Sequence, residues 1–62
     1  MASPADHRII FEISRHGDYV KVTAVDPVSA VEVSVMGPVK GPIEVVKRIA
    51  VQKLRRAVER GG

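Results

Sequence analysis

Apolar residues fall at every second position through most of the first 36 residues, and then at every third or fourth. The first spacing is that of strands with one buried face, and the second is that of a helix. From Arg8 to Ser14, Ile9, Phe11 and Ile13 share one face, and Ile10, Glu12 and Ser14 the other. His16-Gly17-Asp18 breaks the run, and Gly17 supplies the positive φ of a tight hairpin. Alternation resumes over Tyr19–Val25, placing Val20, Val22 and Ala24 opposite Tyr19, Lys21, Thr23 and Val25. Asp26-Pro27-Val28-Ser29 suits a type I turn, because Pro27 presets φ and Asp26 bonds forward to the backbone. A third strand is expected over Ala30–Met36, with Val31, Val33 and Val35 together opposite Glu32, Ser34 and Met36.

Two turns fit the first hairpin. A His16-Gly17 turn sets Glu12 opposite Lys21, Ile13 opposite Val20 and Phe11 opposite Val22. A Gly17-Asp18 turn keeps the faces and moves the pairs by two. Either leaves an outer face of Glu12, Ser14, Lys21, Thr23, Glu32 and Ser34, edged by Ile10, Tyr19, Val25 and Met36.

Gly37-Pro38-Val39-Lys40-Gly41-Pro42 is punctuation, and Pro42 suits a first helical turn, where its missing N–H costs nothing. From Ile43 to Arg60, with about 100° per residue, Ile43, Val46, Ala50, Leu54, Ala57 and Val58 lie within an arc of about 120°. Glu44 lies near the positive end of the helix dipole and Arg55, Arg56 and Arg60 near the negative end. The fold expected is α+β, a three-stranded antiparallel meander packed on one C-terminal helix. Residues 8–60 form its single domain, 1–7 a flexible N-terminus and 61–62 a tail.

The helix carries more than its core stripe. Val45 and Ile49 fall outside that stripe, on a flank shared with Lys53, Arg56 and Arg60. Val51 sits at the other edge. Six of the nine residues in Ile43–Val51 are apolar, a surplus for a helix against three strands. Val45, Ile49, Lys53, Arg56 and Arg60 are therefore the candidate partner surface.

Composition sharpens this. Of 62 residues, 45% are hydrophobic, but 12 are Val and 6 are Ala, with one Leu, one Phe and no Trp. A core of such small side chains is marginal for a monomer, which favours association. Residues 1–41 hold four basic and five acidic side chains, and residues 42–62 hold six and two. The positive excess thus lies in the C-terminal segment, at +4. There is no cysteine, so thiol chemistry and disulfides are excluded. The N-terminal residues have no signal-peptide pattern and no apolar run reaches membrane-spanning length, so a cytoplasmic protein without integral membrane association is expected.

Candidate chemistry is thin. Ser14, His16 and Asp18 are the residue types of a hydrolase triad, but alternate strand positions do not converge and no oxyanion elbow accompanies them. His7 and His16 are too few for a metal site. The loop 37–42 is glycine-rich and bears Lys40, yet its prolines remove N–H groups that a phosphate cradle needs. The outer sheet face mixes Lys21 with Glu12 and Glu32, unlike the basic and aromatic face of a sheet that reads DNA. No cofactor and no catalytic residue is expected.

Three segments in order, Tyr19–Pro27 (YVKVTAVDP), Val31–Pro38 (VEVSVMGP) and Lys47–Leu54 (KRIAVQKL), carry a resemblance over about residues 8–60. They resemble a domain-of-unknown-function family of short uncharacterised alphaproteobacterial proteins. The resemblance implies a bacterial cytosolic setting and a stand-alone domain, and it implies no mechanism. The residues point to a non-catalytic interaction or oligomerisation module, partnered by itself or another protein. The alternative is a weak, sequence-independent nucleic-acid binder working through the basic helix. Attachment to an anionic membrane is disfavoured, since the helix lacks Trp and Phe anchors.

Overall fold

The computed structural model describes residues 9–61, and the expected flexible stretch 1–7, with His7, lies outside them. Three strands, β1 (Ile10–His16), β2 (Tyr19–Asp26) and β3 (Val31–Pro38), precede one helix, α1 (Ile43–Glu59). The sheet is antiparallel in the order β1-β2-β3. The α+β meander with a C-terminal helix is the expected architecture.

The first turn is Gly17-Asp18, so His16 faces Tyr19, Ile13 faces Val22 and Phe11 faces Ala24. Gly17 has φ 62° and Asp18 does not have positive φ, the pattern of a type II′ turn. That turn matches the right-handed twist of the flanking strands, which decides between the two registers open to the sequence.

The second turn departs from a simple type I. The Asp26 carboxylate accepts the Val28 N–H and the Ser29 hydroxyl, each at 3.0 Å. The Ala30 N–H closes on the Asp26 carbonyl at 2.7 Å, and Ala30 is left-handed at φ 65°. The turn therefore uses four residues, Pro27–Ala30, and β3 starts at Val31 rather than Ala30. Asp26 is buried with its oxygens bonded, as a buried carboxylate must be.

Strand β3 also runs two residues past its expected end, through Gly37 and Pro38. Gly37 faces Val20 across the sheet and lies under the first turns of α1. A Cβ there would stand 2.5 Å from Val46 Cγ2. Glycine is what lets the helix approach the sheet. The helix starts at a Pro42 N-cap with no side-chain cap, the Val45 N–H reaching the Pro42 carbonyl at 3.1 Å. It ends one residue before the expected Arg60, which serves as C-cap, and Gly61 follows in the left-handed region at φ 73°.

The core is Val22, Ala24, Val46, Ala50 and Leu54, ringed by Ile9, Phe11, Val31, Val33, Val35, Ile43 and Val58. The helix contacts run to β3 and β2. Strand β1 is left beside the helix rather than beneath it. Ile13, expected on the face of Ile9 and Phe11, is 51% exposed although its cross-strand neighbour Val22 is 0%. It points to the correct face, and none of the described residues covers it.

Two substitutions test this frame. Nothing lies within 4 Å of a Cβ at Gly17, so Gly17→Val acts through backbone strain alone. It is expected to destabilise by about 1–3 kcal/mol in denaturant unfolding. Gly37→Ala is expected to destabilise by about 1–3 kcal/mol through overpacking against Val46, and Val46→Ala in the same chain should recover part of that loss.

Candidate interaction surfaces

The flank read from the helical spacing forms as one surface. Val45, Ile49, Lys53, Arg56 and Arg60 are all exposed, Val45 at 42% and Ile49 at 39%. Val46, Ala50 and Leu54 point into the sheet from the neighbouring stripe. The flank named from sequence is therefore exposed, with two apolar side chains and three cations on one side of the helix.

On the other side of the helix, Glu44, Lys47, Arg48 and Val51 line a shallow hollow of about 340 Å³ with Phe11 of β1. Lys47 Nζ stands 4.9 Å from the Phe11 ring centroid and 3.9 Å from Glu44 Oε2. The cation over the ring face is a cation–π contact, and the exposed ion pair adds little. This side of α1 faces β1, so Val45 and Ile49, on the opposite side of the helix, face away from it.

Ile13, with the partly buried Phe11 beside it, therefore leaves a second apolar surface along β1. Sequence reasoning missed it. Alternation shows which face of a strand is apolar, but not which strand a single helix leaves uncovered. The outer sheet face carries Ile10, Tyr19 and Met36 exposed among polar residues, with Thr23 and Ser34 hydroxyls bonded at 2.9 Å. Lys21, Glu12 and Glu32 on that face give it no single charge sign.

The Ser14 hydroxyl and His16 Nε2 lie 2.8 Å apart on this outer face, both exposed. A nucleophile–base contact is present, but among the described residues no carboxylate bonds the imidazole, and the pair lies on an open strand end. Among the described residues no group of three His, Cys, Asp or Glu side chains is placed to hold a metal ion. A hollow beside Lys40 is lined by Asp18, Pro38 and Val39. There the Val39 N–H is already taken by the Asp18 carbonyl at 2.8 Å, so one N–H of the candidate anion loop is spent on the sheet. Among the described residues no helix is long and apolar enough to cross a membrane.

The elements and surfaces define a small β-β-β-α domain whose distinguishing features are uncovered apolar faces rather than a cleft. The chain belongs to the family described as a domain of unknown function, DUF6898, whose model matches residues 6–61. No curated protein and no solved structure matches it.

Proposed function

We propose that this protein is a non-catalytic interaction module that self-associates. One observation carries the reading. Among the described residues, Ile10, Ile13, Tyr19, Val28, Met36, Val45 and Ile49 are large and exposed, while the buried core is six small or medium side chains. A domain that buries so little gains most by covering what it leaves out. The setting we propose is a bacterial cytoplasm, alphaproteobacterial on the likeness of the three quoted segments.

Self-association links folding to concentration by mass action. Tm is expected to rise by roughly 3–5 °C for each tenfold rise in protein concentration. Sedimentation at high micromolar concentration should show a dimer or larger species. A monomeric mass there, with a concentration-independent Tm, refutes the proposal.

The exposed strip of Lys53, Arg56 and Arg60 favours one second reading, weak sequence-independent nucleic-acid binding. With Arg55 that strip offers three or four phosphate contacts, for a slope of log K against log salt of about −3 to −4 on duplex DNA. Glu44 and Glu59 lie in the same helix and no helical aromatic residue is available for stacking. Binding at about 150 mM salt is therefore expected to be undetectable at micromolar protein. A micromolar Kd with that slope, flattened by about two on Arg56→Gln with Arg60→Gln, makes nucleic acid the primary partner.

A further inference from the structure

We propose that β1 is the self-association surface, pairing antiparallel with β1 of a second copy about a two-fold axis at Ile13. The inference rests on the self-association reading above and supplies its geometry.

The sheet has two edges, and they differ. His16 and Tyr19 flank a two-residue turn and so form a hydrogen-bonded pair. By alternation Ser14, Glu12 and Ile10 also turn their main-chain groups toward β2. Phe11, Ile13 and Arg15 then turn theirs to the open edge. The Val39 N–H bond to the Asp18 carbonyl fixes the alternation on the other side, where Gly37 bonds β2 and Pro38 faces outward. Proline has no N–H to offer, so the β3 edge stops at Pro38, and its remaining outward residues, Glu32, Ser34 and Met36, lie on the outer polar face. Among the described residues, β1 is the edge whose open main-chain groups belong to the apolar face.

The residues with free main-chain groups, Phe11, Ile13 and Arg15, are also those on the helix side of the sheet, where Ile13 is uncovered. A pairing that keeps this apolar face on one side must match odd positions with odd. A two-fold at Ile13 sets Ile13 against Ile13 of the second copy. Phe11 then faces Arg15, aromatic ring to guanidinium, and Glu12 faces Ser14. About six main-chain hydrogen bonds result, two from each hydrogen-bonded pair. A two-fold at Glu12 instead opposes the two Glu12 carboxylates, which destabilises. One at Ser14 moves Phe11 opposite the Gly17 turn and leaves fewer bonded pairs. Complementarity selects the Ile13 register.

The helices permit it. Each lies over its own β2 and β3, so at a strand spacing of about 4.8 Å their axes stand about 19 Å apart across the pair. Packed helices need only about 8–10 Å, so the two do not collide. The result is a continuous six-stranded sheet with both helices on one face.

Ser14→Glu tests the register without threatening the fold, since Ser14 is exposed and its own-chain neighbour is Lys21. In the dimer each introduced Glu meets Glu12 of the other copy, twice over. The dimer Kd, measured by sedimentation, is expected to rise about tenfold, with an unchanged circular dichroism spectrum. Adding Glu12→Lys should restore it to within about threefold, because the opposed charges become complementary. Val45→Glu with Ile49→Glu should leave the Kd unchanged. A dimer indifferent to Ser14→Glu, or not restored by the second change, overturns the β1 pairing and leaves self-association standing. A dimer lost only with the helix substitutions moves the interface to α1. A monomer at high micromolar concentration overturns both readings.

Discussion

One helix is narrower than three strands, and most of the structure follows from that mismatch. A helix with its side chains is about 10 Å across, and neighbouring strands are about 4.8 Å apart, so α1 covers two strands well and a third poorly. The choice of strands is fixed at Gly37 and Val46. Without a Cβ at Gly37, Val46 packs down onto β3, and α1 lies over β2 and β3. Ala50 and Leu54 then reach Val22 and Ala24, and full burial is confined to that strip. Glycine at the contact sets the helix position, and the helix position sets what is buried.

The same placement explains why polar groups carry so much of the edge geometry. With few large side chains to define the ends of the sheet, the turns are built from specific bonds. Asp26 holds Val28 and Ser29 from a buried position, and a left-handed Ala30 delivers the chain into β3. Gly17 holds the other turn with φ alone. At the open strand, Phe11 is only partly buried at the rim of the core and takes the Lys47 ammonium over its ring. That contact adds to the apolar packing that ties α1 to β1.

Legibility in the sequence followed the range of the interactions. Alternation and helical spacing are local, so three strands, one helix and the Gly17 turn could be read directly. Whether the turn was His16-Gly17 or Gly17-Asp18 could not, because both keep the same faces and only the twist of the paired strands separates them. The end of β3 is not legible locally, because Gly37-Pro38 is turn-like in isolation while its glycine answers to Val46, nine residues later in the helix. Ile13 is exposed on an apolar face for a related reason: a strand's face is periodic, but cover is a tertiary property. The flank of Val45, Ile49, Lys53, Arg56 and Arg60 was legible because one helix's spacing defines it entirely. No residue pattern announced β1 as an exposed edge.

Charge separates the two apolar surfaces by the partner each suits. On the helix flank, Val45 and Ile49 lie among Lys53, Arg56 and Arg60, so two copies meeting there would bring six cations together around four apolar side chains. Repulsion of that kind at a small contact opposes a modest apolar gain. Along β1 the charges are Glu12 and Arg15, of opposite sign and on opposite faces, with Ile13 between them. Two copies related about Ile13 keep each charge away from its own symmetry mate. The basic flanks, turned from β1 by the rotation of the helix, then lie toward the outer ends of the assembly rather than at its centre. A flank whose cations repel a second copy and, in the pairing proposed, an edge that matches one are thus set on opposite sides of one helix.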